Sequence, residues 1–234
     1  AREGDLVLDR RYANADFSDF ASLLAAFFAE TQTDPTRVTD GCLAVAGPIA
    51  DDRRSARLTN LPWTIDSEAL SIRFGLPRLR LENDFAAAAL GAVTAAAEQR
   101  FTLQQGEPLA TAPCLVIGAG TGLAIVLPEN GHWRVIASEG GHAAFAPADE
   151  QQMALWAFLH DRHGRVTWER VVSGSGLAAI HEFLSDTLLS PEDITHRALN
   201  APESVERRAL DLFLCAYGAI AGDMALACLA RGGV

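Results

Sequence analysis

The sequence predicts an α/β protein built as two lobes. Apolar segments of strand length alternate along the chain with segments of helical spacing. Residues 114–117, 123–127 and 132–136 follow one another at hairpin distances, which is typical of an antiparallel set. An Ala-rich helical segment lies between the two halves of the chain. We place the lobe boundary in that helix, which gives a small lobe over residues 1–94 and a large lobe over residues 95–234.

The first half supplies three predicted strands and three predicted helices. The strands, by apolar alternation, are residues 6–12, 41–46 and 78–82. The helices, by apolar spacing, are residues 16–29, 67–74 and 85–100. Gly75 is expected to close the second helix, because glycine favours the C-terminal cap. Asp84 is a candidate N-cap for the third.

The second half continues, after the antiparallel set, with helices at residues 150–160, from Ser190-Pro191 onward, and at residues 204–230. The last helix is expected to end at Gly232-Gly233. Within it, residues 209–230 are long and apolar enough to raise the question of a membrane span. Asp211 and Asp223 interrupt this segment, and small residues dominate it, so we expect a buried helix and no membrane partner.

The composition is that of an ordinary globular protein: the 234 residues are 49% apolar and 21% charged. The net charge is −11 and no run of Lys or Arg stands out, so nucleic acid is not an expected partner. The cysteines lie in apolar contexts without a CxxC motif, and each is expected to be a reduced core residue: Cys42, Cys114, Cys215 and Cys228. These features predict a cytoplasmic protein.

Asn83-Asp84 lies where the predicted strand 78–82 meets the Ala-rich helix. A carboxylate at the C-terminal edge of a strand faces the region where ligands bind in open α/β sheets. Phosphoryl transfer to a hydroxyl needs an acceptor for the hydroxyl proton, and Asp84 could provide it. Asn83 offers both a donor and an acceptor to a neighbouring hydroxyl. The alternative is that Asp84 only caps the helix.

Gly118-Ala-Gly-Thr-Gly122, the glycine loop, connects two predicted strands. It does not open a helix, so it is not a dinucleotide-binding motif. Glycines let the backbone approach a ligand closely, and the N–H groups of such a turn can bind an anion. Thr121 adds a hydroxyl donor. The alternative is a plain hairpin turn.

Glu139-Gly-Gly-His142 follows the third strand of the antiparallel set, and Glu169 begins a later segment. Glu accepts hydrogen bonds from sugar hydroxyls, whereas His can donate or accept one, so these residues suit a polyhydroxylated ligand. Alternatively, His142 is a core histidine and Glu169 a solvated helix residue. Zinc would need Cys or His partners at close spacing, which His142 lacks, so we assign no metal ligand.

Together these motifs resemble those of the bacterial-type glucokinases, relatives of hexokinase within the actin-like, ribonuclease-H-like ATPase superfamily. The resemblance covers nearly the whole chain and includes Cys42-Leu-Ala-Val-Ala-Gly-Pro-Ile49, Thr59-Asn-Leu-Pro-Trp63, Glu82-Asn-Asp-Phe85, Gly118-Ala-Gly-Thr-Gly-Leu123, Glu139-Gly-Gly-His142 with Phe145-Ala-Pro147, and Glu169-Arg-Val-Val-Ser-Gly174. It implies a two-lobed actin/hexokinase-type fold with a cleft between the lobes. It also implies ATP-dependent phosphorylation of D-glucose to glucose 6-phosphate, the entry step of glycolysis, with Mg²⁺.

The same resemblance implies roles for particular residues. Asp84 corresponds to the base that deprotonates the 6-hydroxyl of the sugar. The positions that hydrogen-bond the other hydroxyls of glucose are Asn83, Glu139, His142 and Glu169. The second phosphate-binding loop corresponds to Gly118, Ala119, Gly120, Thr121 and Gly122.

The chain departs from the family pattern at two places. The first phosphate loop of the family, Asp-x-Gly-Gly-Thr-Asn, is not found, and the family continues past Gly232-Gly233 into an adenosine-binding segment. We therefore expect a glucokinase shortened at both ends, in which sugar binding survives better than ATP turnover. The alternative function is a sugar-binding regulator or an inactive kinase homologue. A homodimer is also possible, because the small-residue run 216–222 could pack within or between subunits.

Overall fold

The computed structural model describes residues 7–120 and 122–234. The chain divides into two compact units, one ending at Ala87 and the other running from Ala88 to Val234. The division falls inside helix α3, which spans Asp84–Thr94. Each unit has its own hydrophobic core.

Over residues 7–87, the first unit contains a parallel strand pair, a small antiparallel hairpin and three α-helices, counting α3, which continues into the second unit. Its elements are α1 (Phe20–Thr31), β1 (Gly41–Val45), β2 (Ser55–Arg57), β3 (Thr64–Asp66), α2 (Ser67–Phe74), β4 (Leu79–Asn83) and α3. Strand β1 pairs with β4 in parallel, from Gly41 opposite Leu79 to Val45 opposite Asn83. Strands β2 and β3 pair antiparallel. The core of this unit consists of Val45, Ala56, Ile65, Leu70 and Leu81.

After α3, the described part of the second unit combines an antiparallel sheet with five α-helices. Its elements after α3 are β5 (Cys114–Ile117), β6 (Leu123–Glu129), β7 (His132–Ser138), α4 (Glu150–His163), α5 (Trp168–Val171), α6 (Gly174–Ser185), α7 (Pro191–Asn200) and α8 (Val205–Cys228). The sheet order is β5-β6-β7. Asn130 and Gly131 turn between β6 and β7 with φ of 51° and 80°, as a tight hairpin of this sequence requires. The antiparallel set is thus confirmed.

Helix α8 forms one side of the core of the second unit. Ala209, Leu212, Ala216 and Ile220 are buried along one stripe, and the helix packs against α6 and α7. Among the described residues it is the one helix long and apolar enough, by length and composition alone, to cross a membrane. Of the apolar window of this helix, 22% is buried, so the expectation of a buried helix holds only for the stripe at Ala209, Leu212, Ala216 and Ile220.

Local side chains explain why several helices begin where they do. Asp19, Asp66, Ser190 and Ser204 each accept a hydrogen bond from a backbone amide in the first turn of the helix that follows. Pro191 occupies the first turn of α7, where its missing N–H costs nothing. The start predicted at Ser190-Pro191 is therefore confirmed.

Several sequence expectations were wrong. Residues 7–12 have no regular secondary structure, and Leu6, the first residue of that predicted strand, lies outside the described residues. The helix predicted over residues 85–100 ends at Thr94. Helix α8 ends at Cys228, because Leu229 rather than a glycine adopts the left-handed cap, with φ 51°.

The cysteines are also placed differently from the expectation of core residues. Cys42 and Cys215 are exposed, and Cys114 and Cys228 are half-buried. Cys42 lies on β1, and its side chain is on the face opposite the buried Leu81 and Val45 stripe. Partial burial raises the pKa of the Cys114 thiol.

Candidate active site

Asn83 and Asp84 lie at the carboxyl end of the parallel strand pair. Asn83 is the last residue of β4, opposite Val45 at the end of β1, and Asp84 is the first residue of α3. Crevices at the carboxyl ends of parallel strands are where ligands bind in open α/β sheets. The prediction that this pair stands at the edge of the strands is confirmed.

The structure assigns the cap of α3 to Asn83 rather than to Asp84. Asn83 Oδ1 accepts a hydrogen bond from the Ala86 amide at 3.0 Å, which is the contact of an N-cap residue. Asp84 Oδ1 accepts from the Phe85 amide at 2.8 Å, and Asp84 is exposed. The alternative that Asp84 serves only as the cap is therefore wrong. A hydroxyl ligand would meet Asn83 mainly through its amide N–H groups, since Oδ1 is engaged with the helix.

In the second unit, the glycine loop and the Glu139–His142 segment lie at the same edge of the sheet. Leu123, directly after the glycine loop, pairs with Ser138, directly before Glu139. A Cβ added to Gly140 would lie 2.9 Å from Leu123 Cδ1, so the two segments pack closely. The register of β6 and β7 therefore brings together two motifs that are separate in sequence.

The glycine loop is a hairpin connection closed by its own backbone. The Gly118 amide donates to the Gly122 carbonyl at 2.9 Å, so this amide is used by the turn and is not offered to a ligand. Gly120 has φ 148°, a conformation that side-chain-bearing residues avoid. Ala119 is exposed. Thr121, the predicted hydroxyl donor, lies outside the described residues.

Glu139, His142 and Glu169 form one polar cluster. Gly140–His142 is a single 3-10 turn that begins at Glu139. His142 Nε2 lies 3.6 Å from Glu139 Oε2, and His142 Nδ1 lies 3.2 Å from Glu169 Oε2. The imidazole is thus between two carboxylates. A ring in this position can hydrogen-bond one carboxylate while a ligand contacts the other.

Backbone hydrogen bonds bring Glu169 to His142. The Trp168 amide donates to the Ala143 carbonyl at 3.0 Å, and the Phe145 amide donates to the Val166 carbonyl at 3.1 Å. Phe145 and Trp168 are buried and stack edge to face, with ring centroids 5.0 Å apart. This buried aromatic pair fixes α5, which carries Glu169, beside the turn that carries His142.

The cluster is open to solvent. The side chains are 79% exposed for Glu139, 54% for His142 and 38% for Glu169. His142 is therefore not a core histidine. Glu169 is not merely a solvated helix residue either, because it contacts His142. The three residues can accept and donate hydrogen bonds to a polyhydroxylated ligand that replaces water.

Comparison with known proteins identifies the family. The family model described as "Glucokinase" matches residues 3–234. The chain belongs to the glucokinase family. A glucokinase of Trichormus variabilis is 34% identical over 258 residues, which cover 97% of this chain and 75% of the relative. A glucokinase of Chromobacterium violaceum is 36% identical over 211 residues, covering 87% of this chain and 60% of the relative.

Solved structures support the same family and fold. The crystal structure of a glucokinase from an Antarctic psychrotroph is 29% identical, with a TM-score of 0.79, over 95% of this chain and 70% of that one. This glucokinase-family chain has the α/β, actin/hexokinase-type fold that the sequence predicted. It is a hexose kinase, a phosphotransferase. The glucokinase prediction is confirmed at this level.

Two contacts of this glucokinase-family chain escaped sequence analysis. Arg53 Nη2 lies 2.7 Å from Glu82 Oε2, next to Asn83. Tyr217, on α8, donates its hydroxyl proton to the Ile117 carbonyl at 2.9 Å, directly before the glycine loop. Arg53 and Glu82 are 29 positions apart in the sequence, and Tyr217 and Ile117 are 100 positions apart. Neither Arg53 nor Tyr217 belongs to a recognisable motif. The cluster of charges in Asp51-Asp-Arg-Arg54 was the one signal available for Arg53.

Proposed function

We propose that this chain transfers the γ-phosphoryl group of ATP to the 6-hydroxyl of D-glucose, giving glucose 6-phosphate at the entry to glycolysis in the cytoplasm. The observation that carries the proposal is the position of Asp84. Its carboxylate is exposed at the carboxyl end of β4, and Asn83 relieves it of the capping role. An exposed carboxylate at this edge is suited to accept a proton from a bound hydroxyl.

We assign the hydroxyl contacts to Asn83, Glu139, His142 and Glu169. Asn83 donates through its amide group, and Glu139 and Glu169 accept from hydroxyls. His142, placed between the two carboxylates, limits the orientations that they can adopt. A sugar lacking one of these hydroxyls would leave a polar group without its partner, which is how such a site selects glucose.

We assign the phosphate chain of ATP to Gly118, Ala119, Gly120, Thr121 and Gly122. The backbone N–H of Gly118 is hydrogen-bonded within the turn. We therefore assign the phosphate contacts to the other backbone N–H groups of the loop and to the Thr121 hydroxyl. Mg²⁺ arrives with the nucleotide as the Mg-ATP substrate, which proteins commonly hold through one or two carboxylates and the phosphates. The described residues contain no group of three His, Cys, Asp or Glu side chains placed to hold a metal ion, and the Mg-ATP substrate needs none.

In the proposed reaction the proton of the 6-hydroxyl moves to the Asp84 carboxylate. The sugar oxygen forms a bond to the γ-phosphorus while the bond from that phosphorus to the bridging oxygen breaks, and ADP leaves. Positioning and charge stabilisation contribute most of the rate enhancement in reactions of this class. Asp84 afterwards returns the proton to solvent, to which it is exposed.

The test is Asp84→Asn, assayed by coupling ADP formation to an indicator enzyme. Asn retains an oxygen that can accept from the Phe85 amide, so the fold and the glucose affinity should be preserved. Turnover should fall about 10²-fold or more, the usual effect of losing a general base. Turnover equal to that of the unmodified chain would remove Asp84 from its role.

The second candidate is a sugar-binding regulator, which would use the solvent-exposed cluster of Glu139, His142 and Glu169 to bind hydroxyls without phosphoryl transfer. A regulator has no use for a base at the end of β4, and Asp84 is present. Calorimetric glucose titration together with the ADP assay separates the two functions. Glucose binding without ADP formation, in the presence of Mg-ATP, would favour the regulator.

A further inference from the structure

Arg53 belongs to a turn that approaches the carboxyl end of β4. It lies in the connection before β2, where its amide donates to the Ala50 carbonyl at 2.8 Å. Its backbone has φ 57°, which is unusual for a residue with a long side chain. Such conformations persist where the surrounding structure enforces them, and they concentrate at functional sites. The side chain of Arg53 forms an ion pair with Glu82, in which Nη2 of Arg53 lies 2.7 Å from Oε2 of Glu82.

Glu82 connects this ion pair to the sugar-binding residue Asn83. Glu82 Oε2 accepts from Arg53, and Glu82 Oε1 accepts from the backbone N–H of Asn83 at 3.2 Å. Both oxygens of the carboxylate are thereby engaged. The three residues joined by these contacts, Arg53, Glu82 and Asn83, all lie within the first unit.

We propose that Arg53 is a positioning residue that holds Glu82 away from the side-chain N–H groups of Asn83, so that these groups remain available to the sugar. The proposal rests on the proposed function, since it assumes that Asn83 binds a hydroxyl. Without its counter-charge, the Glu82 carboxylate would take the nearest donors, because an unpaired charged group gains most from new hydrogen bonds. Asn83, whose backbone amide already meets Glu82 Oε1 at 3.2 Å, is the adjacent residue with side-chain donors, and Glu82 would then compete with glucose for them.

A neighbouring ion pair provides the contrast. Arg54, the next residue of the same turn, pairs with Glu68 of α2 at 3.1 Å. Both pairs are solvent-exposed, with the side chains 62% and 39% exposed for Arg53 and Glu82 and 67% and 63% for Arg54 and Glu68. Exposed pairs contribute little to stability. The two ion pairs therefore differ mainly in their distance along the sequence from Asn83: Glu82 is the residue before Asn83, whereas Glu68 lies on α2.

The experiment compares Arg53→Met with the matched control Arg54→Met in glucose titrations and in steady-state kinetics. Arg53→Met should raise the KM and the dissociation constant for glucose about three- to tenfold, with kcat within about twofold, because a ground-state contact is lost. Arg54→Met should leave all three within about twofold. Arg53→Lys should recover most of the affinity, since it keeps the charge. Equal glucose affinity in Arg53→Met and Arg54→Met would overturn the proposal.

The double variant Arg53→Met with Glu82→Gln tests the route through Glu82. If the released carboxylate is the cause, removing its charge should bring the glucose affinity back toward that of the unmodified chain. Affinity as low as in Arg53→Met, or lower, would overturn the proposal. Direct glucose titration also separates this failure from failure of the proposed function. An active Asp84→Asn variant contradicts the assigned base, whatever the Arg53 variants do to binding.

Discussion

Gly176 allows the packing around the sugar-binding cluster to be tested without touching it. This residue is in the first turn of α6, where the side chain of Ser173 caps its amide at 3.0 Å. A Cβ added at Gly176 would lie 2.2 Å from the Val171 carbonyl oxygen and 2.5 Å from the carbonyl carbon. Val171 is the last residue of α5, the short helix that carries Glu169. The change Gly176→Ala must therefore move α5 relative to α6.

The size of the effect follows from these distances. Relieving the contact from 2.2 Å to an ordinary separation needs a shift of about 1 Å, because a carbon and an oxygen atom repel below roughly 3.2 Å. Inserting a methyl group into a packed region costs about 1–3 kcal/mol. For a chain of this size, about 2 kcal/mol corresponds to a loss of roughly 4–8 °C in Tm. The displaced Glu169 should raise the KM for glucose about tenfold or more.

Gly174→Ala is the matched control, two residues earlier in the same helix. A Cβ there would lie 3.7 Å from Pro191 Cγ, an ordinary contact. Its Tm should stay within about 2 °C of the original, since alanine fits a helix better than glycine does. Thermal unfolding and glucose kinetics of both variants form the assay. The reasoning would be refuted if Gly176→Ala matched Gly174→Ala in both Tm and KM.

Two further variants and one control variant test other contacts. Tyr217→Phe removes the hydrogen bond to the Ile117 carbonyl and should lower the free energy of unfolding by about 1 kcal/mol; it should also raise the KM for ATP more than that for glucose, and equal effects on both would contradict it. The double hydrogen bond from Arg162 lowers the pKa of Glu182 below its ordinary 4.5, so the carboxylate stabilises the fold fully above about pH 4.5 and loses this effect as the pH falls through the lowered pKa. Glu182→Gln should therefore lower Tm at pH 7 and have a shrinking effect below pH 4.5, whereas Glu68→Gln, in an exposed pair, should change Tm little at either pH; a Glu182→Gln effect that does not depend on pH would contradict the assignment.

Local sequence predicted the elements whose determinants are adjacent along the chain. The glycine loop between two apolar strands and the antiparallel set of residues 114–117, 123–127 and 132–136 were predicted because strand alternation and turn chemistry act over a few residues. Helix starts at Ser190 and Ser204 follow from side-chain caps within three residues. The hairpin of β2 and β3 was missed, because strands of three residues carry almost no periodic signal.

The candidate site shows the same division. The residue types were predicted by motif, but the assignment of the helix cap to Asn83 depended on which oxygen meets the Ala86 amide. Likewise, the placement of Glu169 beside His142 depended on backbone hydrogen bonds near Trp168. Either of the adjacent residues Asn83 and Asp84 could cap the helix with the same sequence pattern, so the pattern does not decide between them.

By itself, the sequence determined the fold class, the family and the polar residues that are candidates for the site. It could do so because hydrophobic spacing and glycine-rich motifs are properties of short segments. Only the tertiary structure decided which of these residues touch: the contact of His142 with Glu169, that of Arg53 with Glu82, and that of Tyr217 with the carbonyl before the glycine loop. The physical reason is that such contacts depend on strand register and helix packing, which are set by burial summed over each unit and not by any one segment.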